Sequence, residues 1–273
     1  MGADASGRQS GAAREVLHGG VANAGQVVRI GDEIERPANA HSDTVHRFLG
    51  ALHEQGFDGV PEPLDVRDGR ERLRFIPGEV AVPPFPDWVQ SDHALASASS
   101  LIRRFHAASS AIGPPPDELW SDELSDPLGG PIVCHNDVCW ENVVFRDGHA
   151  VALLDFDFAA PGRPLYDLAQ FARMCVPIDD EVNAERLGWT PADLPARLRL
   201  VCDTYGVDAT GRLEVLQVLD QSIEHGAEFV LRHVRAGDPG FIAMWDAMGG
   251  AERYDRRRDW WARSRNSFEA ALR

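Results

Sequence analysis

Residues 133–145 read VCHNDVCWENVVF. His135, Asn136 and Asp137 stand in a row, Asn142 follows five residues after the aspartate, and apolar residues close the stretch on both sides. The flanking runs predict short buried strands at 132–134 and 143–145. The polar residues between them then form a loop held on a rigid base. Acidic chemistry continues in VALLDFDFAAPG at 151–162, where VALL reads as a buried strand and Asp155 stands at its C-terminal end.

Asn142 and Asp155 are oxygen donors of the hard type that suits Mg²⁺, an ion that takes few protein ligands and leaves positions for phosphate oxygens. Asp137 is a further carboxylate, available to accept the proton of an attacking hydroxyl. Positioning, charge neutralisation and orientation of the nucleophile are the requirements of phosphoryl transfer. Asp157 projects to the same side as Asp155 if the strand continues. Its role stays open between a second metal ligand and support for Asp155.

The 273-residue length suits one large or two modest domains, with room for an ordinary core. A net charge of −16 argues against a nucleic-acid surface and permits attraction of a cationic small molecule. No apolar run is long enough to span a bilayer, and the N-terminus carries no secretory pattern. The four cysteines include no CxxC pair, so they read as small buried residues in a reducing, cytoplasmic setting. The chain contains no lysine, so every fixed positive side chain is arginine.

Residues 1–13 read as a disordered tail. Residues 25–37 predict two strands around a Gly31-Asp32 turn, and 61–78 predict a hairpin turning at Asp68-Gly69. Between them, 42–56 predicts a helix with Val45, Phe48, Leu49 and Leu52 on one face, Ser42 as its cap and Gly56 at its end. A proline-rich connector at 77–88 suggests a domain boundary. A helix opened by Ser91 or Asp92 follows, and from 165 onward the pattern is almost wholly helical. There TPADL (190–194) predicts a helix start with Thr190 as cap and Pro191 in the first turn.

HNDVCWEN (135–142), LLDFDFAAPG (153–162) and PLYDLAQF (164–171) resemble the catalytic segments of the aminoglycoside phosphotransferase family, whose loop reads H-x-D-x-x-x-x-N. LHGGVANAGQVVRIG (17–31), FIPGEV (75–80) and LIRRFHAA (101–108) are similar, more weakly, to its glycine-rich hairpin, hinge and helix. The resemblance implies an α+β, two-lobed, protein-kinase-like fold. A small β-rich N-lobe (14–78) would bind nucleotide, and a larger, mostly helical C-lobe (79–273) would carry the catalytic loop and the acceptor.

The resemblance implies roles for single residues. Asp137 would be the catalytic base, Asn142 and Asp155 would hold Mg²⁺, His135 would brace the loop, and Asp167 would stand behind it as a structural acid. The backbone from Ile76 through Gly78 to Glu79 would meet the base edge of ATP or GTP. The turn holding Gly19, Gly20 and Asn23 would cover the phosphates. The family's strand lysine is absent, and Arg36 stands in its place with a fork suited to phosphate. The helix glutamate that would pair with it has no obvious counterpart, since Val45 occupies the expected position.

The implied activity is transfer of the γ-phosphoryl of ATP or GTP to a hydroxyl of an aminoglycoside-like or other small acceptor. A kinase of an unrelated small alcohol or sugar, and a catalytically silent nucleotide-binding protein, stand as alternatives. Asp179, Asp180, Glu181, Asp220, Glu224 and Glu228 could line a pocket for a polycation, or could be solvated helix faces. Oligomeric state is left open.

Overall fold

The computed structural model describes residues 14–17 and 25–273. The expected tail at 1–13 and the turn with Gly19, Gly20 and Asn23 lie outside the described residues.

The N-terminal region is a five-stranded antiparallel sheet of β1 (Arg14–Val16), β2 (Val28–Ile30), β3 (Glu33–Pro37), β4 (Pro63–Arg67) and β5 (Arg70–Arg74), in the order β1-β2-β3-β5-β4. The β4–β5 hairpin turns where expected. Asp68 and Gly69 both take positive φ, 52° and 71°, as a two-residue turn matched to strand twist requires. Helix α1 (Ser42–Glu54) packs on this sheet through Val45, Phe48, Leu49 and Leu52, all buried. Ser42 is not its cap. Its Oγ accepts from Asn39 N at 2.9 Å, within the turn leading into the helix, and His41 stands at the cap position without a side-chain hydrogen bond to the helix.

Helix α2 (Asp92–Ile112) opens as predicted, with Ser91 Oγ accepting from Ala94 N at 3.1 Å. It lies against α1 on one side and against two small antiparallel ladders on the other. One ladder pairs β6 (Ile132–Cys134) with β9 (Ala160–Gly162), and the other pairs β7 (Val143–Arg146) with β8 (His149–Leu153). Together they hold the loop between β6 and β7, which closes with a single 3₁₀ turn at Trp140–Asn142.

The rest is helical: α3 (Pro164–Cys175), α4 (Glu181–Arg186), α5 (Leu194–Tyr205), α6 (Ala209–Ala236), α7 (Pro239–Ala247) and α8 (Gly250–Leu272). The expected start near Thr190 is displaced. Asp193 Oδ1 caps α5 by accepting from Ala196 N at 3.1 Å. Thr190 is committed elsewhere, donating through both N and Oγ1 to Gln90 Oε1 at 2.8 and 2.9 Å.

Rings run from α1 to the polar loop. Phe48 meets Phe105 edge-on at 6.3 Å, Phe105 meets Phe156 at 5.7 Å, and Phe156 meets His135 at 4.5 Å between centroids. Burying such rings contributes about 1.5–3 kcal/mol each. Their contact also ties the position of α1 to that of the loop. The four cysteines are buried and unpaired. No helix among the described residues is long and apolar enough to cross a membrane.

Candidate active site

The loop of residues 135–142 is organised from behind by Asp167 of α3, which is fully buried. Its carboxylate accepts from His135 N at 2.7 Å, from Asn136 N at 2.8 Å and from His106 Nε2 at 2.9 Å. His106 completes the anchor by accepting at Nδ1 from Tyr205 Oη at 2.7 Å. Burial works to raise the Asp167 pKa, but the His106 hydrogen bond and the charges around it outweigh burial and hold it below the usual range. Three bonds to an ionised carboxylate are the strong kind. They hold Asn136 in the left-handed region at φ 67°, a conformation that a non-glycine residue adopts only under constraint.

His135 is a brace. Its Nε2 donates to Leu154 O at 2.8 Å and its Nδ1 accepts from Asp137 N at 3.3 Å. Burial pushes its pKa down, so the ring is neutral and bridges the loop to the segment carrying Asp155. Asn142 Nδ2 donates to Asp137 O at 2.9 Å and lies 3.3 Å from Asp137 Oδ2. Asp137 is thus held by both flanks of its own loop. Burial, and then the Asp155 charge, raise its pKa to about 7 against the opposing pull of Arg173.

The structure brings Arg36 into this cluster. Arg36 is 7% exposed, and its fork donates to Glu71 Oε1 at 2.6 Å, Asp155 Oδ1 at 2.8 Å and Asp157 Oδ1 at 2.6 Å. Asp155 takes positive φ, 61°, which swings its carboxylate out of the strand path. Burial works to raise its pKa, but Arg36 outweighs burial and lowers it. Burial, and then the Asp155 charge, push Asp157 up to about 7.

Sequence reasoning missed Glu71. It faces Arg36 directly across β3 and β5 and is 1% exposed. Its other oxygen accepts from His46 Nε2 of α1 at 2.8 Å. The ion pair sought between strand and helix is therefore built between two strands, and α1 reaches it through a histidine. A signal was present in RERLR (70–74), where Glu71 alternates inward with Leu73. A carboxylate on a core-facing position needs a partner.

The donor set suits a hard divalent cation. Asn142 has its amide nitrogen committed to Asp137, which leaves the oxygen as the atom it can offer. Asp155 remains 31% exposed at its side chain despite the ion pair with Arg36. The crowding that raises Asp137 and Asp157 is the kind of charge imbalance that such an ion relieves.

At the connector, Glu79 N donates to Phe145 O at 2.8 Å and Glu79 O accepts from Phe145 N at 2.7 Å. Both backbone groups of Glu79 are therefore used. Those of Ile76 and Gly78 enter no such pairing among the described residues. Gly78 is required by close approach, since a Cβ there would stand 2.4 Å from Val144 Cγ1 and 2.6 Å from Phe145 O.

Four of the six candidate pocket acids have arginine partners on α8. Asp179 meets Arg253 at 2.6 Å, Asp180 meets Arg256 at 3.3 Å, Glu224 meets Arg258 at 2.7 Å and Asp220 meets Arg265 at 2.8 Å. Glu181 and Glu228 are exposed.

A sequence profile described as the phosphotransferase enzyme family matches residues 117–201. The trifolitoxin immunity protein of Rhizobium leguminosarum bv. trifolii is 30% identical over 258 residues, covering 90% of this chain and 94% of that protein. Among solved structures, a choline/ethanolamine kinase family protein from Mesorhizobium loti aligns with a TM-score of 0.61 at 18% identity, covering 98% of this chain and 94% of that one. The GDP complex of aminoglycoside 2'-phosphotransferase-IIIa aligns with a TM-score of 0.55 at 17% identity, covering 94% and 95% respectively. These likenesses establish the two-lobed, kinase-like fold.

Proposed function

The chain belongs to the aminoglycoside phosphotransferase family, and from that premise we propose that it transfers the γ-phosphoryl group of ATP or GTP to a hydroxyl of a small acceptor. The acceptor would be aminoglycoside-like or another small alcohol or sugar. The observation that carries this reading is the convergence of Asp137, Asn142 and Asp155 around one braced loop, with Arg36 reaching in from the opposite sheet. We read residues 14–78 as the nucleotide-binding lobe and 79–273 as the lobe carrying catalytic loop and acceptor. Four unpaired buried cysteines support a reducing, cytoplasmic setting.

In this reading the acceptor oxygen forms a bond to the γ-phosphorus as the bond to the β-bridging oxygen breaks, with ADP or GDP as leaving group. Asp137 receives the hydroxyl proton. A carboxyl group with a pKa near 7 is matched to that task. Mg²⁺, held by Asn142 and Asp155 with Asp157 beside them, would neutralise phosphate charge. Arg36 would turn part of its fork from the aspartates to a phosphate, its position kept by Glu71. Ile76 and Gly78 would meet the base edge.

The test is thermal unfolding with ATP or GTP, with and without Mg²⁺, followed by a nucleotide-turnover assay across small acceptors. A metal-dependent rise in midpoint that disappears in Asp155→Ala supports the reading. No rise at millimolar nucleotide sinks it. A second reading is favoured by the full-length relative named for immunity to trifolitoxin. In that reading the chain protects a cell from a toxin, which a survival assay in a sensitive strain carrying or lacking the chain would test.

A further inference from the structure

Next to the catalytic loop, α3 and α8 gather positive charge that the local carboxylates do not balance. Arg173 extends from α3, while Arg253 and Arg257 extend from one turn of α8. The acid they face is Asp179, on the segment after α3. Arg253 Nη2 reaches Asp179 Oδ2 at 2.6 Å, and Arg257 Nε stands 3.9 Å from Asp179 Oδ1, beyond hydrogen-bond distance. Asp179 also accepts from Asn183 Nδ2 at 2.6 Å, and the neighbouring Asp180 is taken up by Arg256.

Arg257 is the unusual member. It is 3% exposed, and its Nε and Nη2 have no hydrogen-bond partner among the described residues. Arg253 is 7% exposed. A buried guanidinium without an acceptor is costly, and such a group is ordinarily satisfied by an anion or by water. Burial, and then the nearby charge of Arg173, push the Arg257 pKa down to about 9. Arg173 lies on α3 between Asp167, whose carboxylate anchors the loop carrying Asp137, and Cys175, whose Sγ lies 4.0 Å from Val138 O of the same loop. In a chain of net charge −16, this gathering of buried arginine is a local departure from the overall charge.

We propose that Arg173, Arg253 and Arg257 form the acceptor subsite, and that the acceptor is an anionic hydroxy compound whose carboxylate or phosphate docks on these guanidinium groups and presents its hydroxyl to Asp137. The inference rests on the phosphotransferase reading above. Planar forks that bind oxyanions in pairs suit a carboxylate or phosphate. A polycationic acceptor would meet like charge here, and four of the six candidate pocket acids are engaged by α8.

The experiment is thermal unfolding of the full chain with glycerate, glycerol 3-phosphate, choline or kanamycin, each at matched ionic strength in chloride. Glycerate or glycerol 3-phosphate should raise the midpoint by roughly 4–6 °C at a hundredfold excess over Kd. Which of the two does so separates carboxylate from phosphate recognition. The rise should vanish in Arg257→Met, and also in Arg173→Gln, which alters a half-buried position and guards against a fold defect in the first variant. No rise with either anion, an undiminished rise in both variants, or a rise with choline or kanamycin alone overturns the assignment. ATP with Mg²⁺ is titrated in the same assay. A nucleotide shift without an anion shift removes the subsite alone, whereas an anion shift without a nucleotide shift removes the kinase reading and keeps the anion site.

Discussion

Arg36 Nε donates to Glu71 Oε1 at 2.6 Å, and the two residues face each other across adjacent strands of the N-terminal sheet. Both are buried, and the remaining nitrogens of the same fork reach Asp155 and Asp157 from the other side of the site. A charge at Arg36 is tolerable inside the protein because three carboxylates surround it. Burial works to lower its pKa, but those charges outweigh burial and raise it.

Replacing Glu71 by Gln should therefore do more than remove a contact. Breaking one side of a buried ion pair costs about 3–5 kcal/mol when the partner charge is stranded. The two aspartates still hold Arg36, so the lower end of that range is expected. Urea unfolding checks the stability, and nucleotide titration should show weaker binding through the released fork. Unchanged stability would mean that Glu71 does not hold Arg36 in place.

Asp137→Asn should lower the turnover number by about 10²–10⁴ while nucleotide affinity stays close to that of the parent. The amide retains the shape that Asn142 grips but cannot take a proton. Steady-state kinetics together with nucleotide titration separate the two effects. Lost folding in this variant would assign Asp137 a structural role instead.

The Asp167 anchor predicts an acid dependence. Its folded pKa lies below the unfolded value, ordinarily about 3.9, so the unfolded chain takes up this proton first as pH falls. The stability Asp167 contributes is complete above the unfolded value and is lost as pH falls through the folded one. Asp167→Asn should cost about 1–3 kcal/mol at neutral pH, because two backbone N–H groups and His106 lose an ionised acceptor. Urea midpoints for parent and variant should converge toward acid pH. A constant gap throughout would contradict an ionised anchor.

Gly78→Ala should cost about 1–3 kcal/mol, since the new methyl group would press on Val144 and the Phe145 carbonyl at the Glu79–Phe145 pairing. Gly148→Ala is the control. Gly148 also has positive φ, 77°, but faces open space, so only the backbone term of roughly 1 kcal/mol remains. Chemical denaturation of the two variants side by side distinguishes them. Equal losses would show that the close approach at Gly78 carries no cost.

The sequence by itself determined the local pieces. The hairpin at Asp68-Gly69, the apolar face of α1, the Ser91 cap and the strands around 133–145 follow from side-chain periodicity and turn chemistry within a few residues. The order of His135, Asp137, Asn142 and Asp155 was legible for the same reason: their chemistry is written in residue type and spacing.

Tertiary structure alone decided the partners. Glu71 meets Arg36 across 35 residues, and Asp155 meets it across 119, distances over which no periodic pattern extends. β9, with the sequence APG, has little strand character and is a strand because β6 pairs with it. The start of α5 moved because Gln90, a hundred residues away, occupied Thr190. The cluster of Arg253 and Arg257 on Asp179 exists because α8 folds back on the segment after α3. A side chain's own chemistry can be read from its letter. What neutralises it depends on which segments the core brings together, and burial makes that choice energetically binding.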